Sequence, residues 1–209
     1  MNKLTIALPK GRLADKVLNL IKKCGIEMPE VLDERKLIAY DTTEEYRFLF
    51  VKPVDVPTYV ERGTADIGIS GKDTILEEGK DIYELLDLRI GKCKLCIAGK
   101  SSKDLKNIHT LKVATKYPNI TRKYFESKLI TPDIIELKGS VELAPITDLS
   151  DVILDIVESG TTLKSNGLKV LEDVADISAR LIANKVSYKT KYDIINPLIK
   201  SLENLVGSL

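Results

Sequence analysis

Apolar and polar positions along the chain alternate between a strand-like and a helix-like period, and each switch marks a short element. Residues 4–8 form a β-favouring run that Pro9-Lys10-Gly11-Arg12 interrupts. Beyond it Leu13, Val17, Leu20, Ile21 and Cys24 recur on one helical face, and Gly25 is placed to stop the helix. Runs 37–40 and 46–51 read as strands joined by a hairpin connection at Asp41-Thr42-Thr43-Glu44. A short helix is predicted over 56–62, ended by Gly63. ADIGI at 65–69 reads as a buried strand, Ser70-Gly71-Lys72-Asp73 as its exit loop, and 74–78 as a helical turn.

The alternation continues with strands at 83–88, 92–98, 112–114 and 134–137 and a helix over 119–128. At 149–158 the apolar residues Leu149, Val152, Ile153, Ile156 and Val157 share one helical face, which predicts a helix with Asp148 as its cap and Ser159-Gly160 as its stop. Strands at 168–174 and 177–184 and a helix over 191–206 complete the pattern. Strands separated by helices predict the α/β class, with parallel sheets covered by helices. No linker rich in Pro, Gly or Ser divides the chain, but the pattern restarts near 90 and 177. If the chain holds two domains, they are therefore joined by strands crossing there, which would divide it into 1–90 with 178–209 and 91–177.

Composition narrows the class. The 209 residues carry 32 Lys+Arg against 31 Asp+Glu and are 44% hydrophobic, so the chain is neither a disordered charged tail nor a nucleic-acid binder acting through excess positive charge. Any polyanion must be met by a local cluster. Three cysteines, Cys24, Cys93 and Cys96, make no regular framework and point to a reducing compartment, the cytoplasm. The N-terminus is too poor in apolar residues for a signal peptide, and no apolar run is long enough to span a membrane.

Ligands of open α/β sheets gather where strands exit into helices, and four such exits carry suitable residues. Lys10-Gly11-Arg12 flanks a permissive glycine with cations, although so short a string is also the composition of an ordinary turn. Ser70-Gly71-Lys72-Asp73 and Gly139-Ser140-Val141-Glu142 are small-residue loops. Asp155-Ile156-Val157-Glu158-Ser159-Gly160-Thr161-Thr162 is richer: two carboxylates three apart on the expected helical face, then a glycine among three hydroxyls. Hydroxyls and backbone N–H groups suit a phosphomonoester, and carboxylates accept from ribose hydroxyls. The string reads equally as a Gly-terminated helix followed by a Ser/Thr turn.

Other constellations fail. Cys93-Lys94-Leu95-Cys96 has metal-ligand spacing, but residues three apart on a strand face opposite ways. His109 is the sole histidine and lies in a polar loop. Serine-hydrolase, P-loop and dinucleotide signatures are absent. Tyr117, Tyr124 and Phe125 among Lys116, Arg122 and Lys123 make a weak case for stacking on nucleic acid.

Taken together, ALPKGRL at 7–13, Arg35-Lys36-Leu37, DVPTYVERGTADIGISGKD at 55–73, YELLDLRIGKCKL at 83–95, VATKYPNITRKYF at 113–125, GSVELAP at 139–145 and the stretch from Glu142 to Leu163 resemble the short form of the ATP phosphoribosyltransferase catalytic subunit, from histidine biosynthesis. One departure is Asp148, where that family usually has glycine. The resemblance implies a fold of two α/β lobes like the type II periplasmic binding proteins, and transfer of phosphoribose from phosphoribosyl pyrophosphate to N1 of ATP. It implies that Ser159, Gly160, Thr161 and Thr162 take the 5′-phosphate, with Asp155 and Glu158 nearer the ribose. Gly11 and Lys10 would face the polyphosphates with Arg12 and Arg35, the two residues expected to stabilise the transition state. Gly71, Asp73, Ser140 and Glu142 would surround nucleotide and ribose. It further implies substrate-bound Mg²⁺ with no protein metal-ligand set, a homodimer within a hetero-oligomer, and a separate regulatory subunit resembling histidyl-tRNA synthetase. The competing expectation is a two-lobed solute- or effector-binding module without catalysis.

Overall fold

The computed structural model describes residues 3–11, 13–27, 36–100 and 110–207. The chain divides into two compact units, Met1–Gly91 with Ser178–Leu209, and Lys92–Ile177.

The first unit opens with β1 (Leu4–Pro9), buried throughout, and α1 (Ala14–Lys23). Strands β2 (Ile38–Tyr40) and β3 (Tyr46–Val51) form the expected hairpin. Asp41 holds its turn, accepting from the N–H of Tyr46 at 2.8 Å and of Thr43 at 3.2 Å, the local bonding that makes Asp a turn residue. A 3₁₀ turn at Pro53–Asp55 leads into α2 (Val56–Glu61). Then β4 (Ile67–Gly71) passes directly into α3 (Lys72–Glu78), so Ser70 and Gly71 end a strand rather than forming an exit loop. After β5 (Tyr83–Asp87) the chain enters the second unit.

There it forms β6 (Cys93–Gly99), β7 (Lys112–Thr115), α4 (Pro118–Glu126), β8 (Asp133–Glu136), α5 (Leu143–Ile146), β9 (Val152–Val157), α6 (Thr161–Ser165) and β10 (Lys169–Ile177). It returns as β11 (Ala179–Ala183), α7 (Lys185–Thr190) and α8 (Tyr192–Gly207).

Two expectations are corrected. The helix predicted over 149–158 is strand β9. Its Val-Ile-Leu-Asp-Ile-Val run lies between β6 and β7, and a central strand buried on both faces has apolar residues at consecutive positions, which also satisfies a helical period. Asp155 and Glu158 therefore share no helical face, and Asp148 caps no helix. The sheets are also mixed rather than parallel. One has the order β2-β3-β1-β4-β11-β5, with β3, β1 and β4 parallel and β2 and β11 antiparallel to their neighbours. The other has the order β10-β6-β9-β7-β8, with β9, β7 and β8 parallel and β6 antiparallel to β9 and β10.

Helices cover both faces of the first sheet. Val17 and Leu20 of α1 and Leu198 and Leu202 of α8 pack on Ile6 and Ile67; Val56 and Val60 of α2 pack on Ala7 and Ile182. Asn184 joins the layers: it accepts from the N–H of Val186 and Ser187, capping α7, and donates to the carbonyls of Val60 and Glu61. Buried Asp66 accepts from the N–H of Thr5, Ser187 Oγ and Lys191 Nζ, so its charge is both paired and hydrogen-bonded. In the second unit, Ala144 of α5 and Leu163 of α6 pack over Ala98, Ala114 and Ile153.

Candidate functional site

Parallel strands deliver their exits to one edge of a sheet, and both units use this. In the first, Pro9 stands level with Val51 and Ala7 with Gly68, so the ends of β1, β3 and β4 share an edge. Lys10 lies there half-buried, its N–H bonded to the Val51 carbonyl at 2.9 Å. Gly11 follows with φ +93°. Gly71 and Asp73 stand where β4 enters α3. A Cβ at Gly71 would overlap the Asp73 carboxylate, so only glycine lets that side chain fold back over the strand end. Arg12 and Arg35 lie outside the described residues.

In the second unit, β8, β7 and β9 present adjacent exits. Gly160 has φ +72°, which an L side chain resists, and opens the turn from β9 into α6. This brings Ser159 Oγ within 2.9 Å of Thr161 Oγ1, both exposed, with Thr162 next and Leu163 buried as the anchor. The Asn166 side chain donates to the Thr162 carbonyl at 2.8 Å, steadying the turn. Hydroxyls and N–H groups of this kind can ring an anion without a formal charge. Half-buried Asp155 lies between Ile153 and Val157 on one face of β9, and these two cluster with Leu163 of α6, so Asp155 is on the α6 side of the sheet. Glu158 is exposed beyond the strand end. Ser140, at φ +48°, and half-buried Glu142 lead into α5 at the exit of β8, on the far side of β7.

The middle exit escaped the sequence reading. Thr115 Oγ1 donates to the Leu154 carbonyl at 2.7 Å and accepts the Tyr117 N–H at 2.9 Å, tying β7's end to β9. Exposed Lys116 is thereby placed between the β8 and β9 exits. The signal was its strand-to-helix position, the same that marked the other exits. Tyr117 and Phe125 are buried and unavailable for stacking on nucleic acid.

A family model described as ATP phosphoribosyltransferase matches residues 52–204. Two curated relatives of that name, from Clostridioides difficile and Brachyspira hyodysenteriae, are each 53% identical to the chain. The matches cover 98% of this chain and 99% of the first relative, and 97% and 100% for the second. The chain belongs to the ATP phosphoribosyltransferase family. A solved structure titled as an ATP phosphoribosyl transferase (HisG:HisZ) complex from Thermotoga maritima superposes with TM-score 0.86 at 36% identity, covering 99% of this chain and 100% of that one.

Two details make sense within the ATP phosphoribosyltransferase family. Asp148 adopts φ +57° after α5, a left-handed conformation that glycine accepts freely and Asp tolerates, and it pairs with Lys100 at 2.7 Å. The C-x-x-C string has no part in the chemistry of the edge. Burial and donation to Asp173 push the Cys96 thiol up to about 11, so it is neither a thiolate nucleophile nor a ready metal ligand near neutral pH. Among the described residues no group of three or more His, Cys, Asp or Glu could hold a metal ion, and no helix is long and apolar enough to cross a membrane.

Proposed function

We propose that the chain catalyses attack of adenine N1 of ATP on the anomeric carbon of phosphoribosyl pyrophosphate, releasing pyrophosphate, the first step of histidine biosynthesis. The observation that carries this reading is the match to ATP phosphoribosyltransferases along the whole chain, which includes the hydroxyl loop at 159–162. In this reading Ser159, Gly160, Thr161 and Thr162 bind the 5′-phosphate, and Asp155 and Glu158 bind the ribose. Lys10, Gly11, Arg12 and Arg35 meet the polyphosphates, and Gly71, Asp73, Ser140 and Glu142 surround nucleotide and ribose.

The reaction requires no strong base, because N1 carries a free lone pair. It requires a cation-like sugar and a departing pyrophosphate to be stabilised, so fixed geometry and charge do the catalysis. Arg12 and Arg35 are the groups assigned to that charge. Mg²⁺ supplies further neutralisation when bound to the substrates. Its ligands in this reading are oxygens of the substrates' phosphates and water, with no protein ligand set assigned.

The solved relative's title names a HisG:HisZ complex, which supports a regulatory partner of the HisZ kind for this chain; a homodimer within such a complex is the assembly proposed with it. Three cysteines outside any disulfide favour a reducing compartment, and the cytoplasm is the assigned location. The test is pyrophosphate release on mixing the chain with ATP, Mg²⁺ and phosphoribosyl pyrophosphate. Release that requires both substrates is expected; release with another base in place of ATP, or tight amino-acid binding without turnover, overturns the reading.

A further inference from the structure

The chain leaves the first unit after β5 and re-enters it before β11, and both passages meet one carboxylate. Asp87 accepts from Ser178 Oγ at 2.7 Å and from the N–H of Arg89 at 2.8 Å, and pairs with Arg180 at 3.2 Å. The Ser178 carbonyl in turn accepts the N–H of Lys72, the first residue of α3, at 3.0 Å. A second route reaches the same residue through charges: Arg180 lies 3.5 Å from Glu84, and Glu84 2.6 Å from Lys72 Nζ. Two routes therefore start at Asp87 and converge on Lys72, between Gly71 and Asp73.

Stability alone explains this circuit poorly. Its charged side chains are 20–38% exposed, where ion pairs contribute little. Arg180 Nε and Ser70 Oγ, on residues paired across β11 and β4, are buried without a hydrogen-bond partner, a penalty that a purely stabilising arrangement would avoid. What the circuit does fix is a backbone. Arg89, at φ +54°, is held in the left-handed region by the Asp87 turn, and the Lys72 peptide is held by Ser178.

We propose that Asp87 and Ser178 are positioning residues for the acceptor nucleotide: they hold the Lys72 peptide, and with it Gly71 and Asp73, in the conformation that receives ATP. The inference rests on the assignment of Gly71 and Asp73 to the nucleotide. It is tested on the full chain by measuring KM for ATP and for phosphoribosyl pyrophosphate separately, together with Tm, for Ser178→Ala, Ser178→Thr, Asp87→Asn and Asp73→Asn. Ser178→Ala is expected to raise KM for ATP about tenfold, the scale of one lost hydrogen bond to a charged group, with the other KM within about twofold. Ser178→Thr retains the hydroxyl and should restore ATP binding. If both KM values rise together, or only Tm falls, the two residues are merely structural and the proposal fails. Should Ser178→Ala not fold, Asp87→Asn, which keeps the side chain's size and an acceptor oxygen but loses the charge facing Arg180, decides by the same criterion. If Asp73→Asn leaves KM for ATP unchanged, the nucleotide assignment itself is wrong and the inference falls with it. If Asp73→Asn raises that KM and the other variants do not, only the positioning role is overturned.

Discussion

The two strand-exit edges carry different chemistry. At the first, Lys10 is half-buried beside a strand end, and the neighbouring strand-to-helix junction at Gly71 is braced by Lys72, Glu84, Arg180 and Asp87. At the second, the loop from Ser159 to Thr162 offers exposed hydroxyls around a left-handed glycine, with apolar Leu163 as its brace. A charged edge suits polyphosphates, whose charge is high and whose conformation varies. A hydroxyl ring suits a single phosphate, which must be held by shape and direction. The difference implies that variants at the two edges should fail in different kinetic parameters.

The largest effect should come from the cation assigned to the polyphosphates. Arg35→Ala is expected to lower turnover by about 30- to 1,000-fold, the range for one lost transition-state contact of ~2–4 kcal/mol, with KM for ATP little changed. Steady-state pyrophosphate release measures it, and unchanged turnover would remove Arg35 from that role. Next comes the hydroxyl loop. Gly160→Ala forces an L side chain into φ +72°, a strain of about 1–2 kcal/mol, and should raise KM for phosphoribosyl pyrophosphate about tenfold while sparing that for ATP. Equal loss at both substrates would erase the distinction between the edges.

A smaller effect concerns acid stability. Burial raises the Asp87 carboxyl's pKa, but hydrogen bonds from Ser178 and the Arg89 N–H, with the charges of Arg180 and Arg89, outweigh it and bring the pKa below its ordinary value. Its contribution is therefore fully present above the unfolded value, about pH 4, and is lost as the pH falls through the folded one. Denaturant titrations should show Asp87→Asn losing less stability than the parent chain on acidification over that window. A parallel fall in the two would mean that the circuit is not the acid-sensitive element. The smallest effect belongs to Asp148→Gly, which relieves φ +57° and gives up an exposed pair with Lys100. Thermal melts should show a stabilisation of under about 1 kcal/mol, with both KM values unchanged.

Much of this was legible in the sequence. The hairpin around Asp41 was, because turn chemistry is local. The helical faces of α1 and α8 were, because a period of 3.6 over ten or more residues leaves few alternatives. The hydroxyl string at 159–162 stood out as a candidate for a phosphate, whereas its neighbour β9 was misread as a helix. A short run with five apolar residues in six satisfies two periods at once, and only its pairing with β6 and β7 selects one.

The sequence by itself determined the class, most of the short elements, the lack of any large charge excess and, through a family resemblance, the chemistry. Tertiary structure decided which residues stand together. Lys72, Glu84, Asp87, Ser178 and Arg180 are up to 108 positions apart in the numbering, and strands β4, β11 and β5 bring them to one sheet edge. No local pattern records such a circuit, because cross-strand pairing depends on register rather than on spacing along the chain.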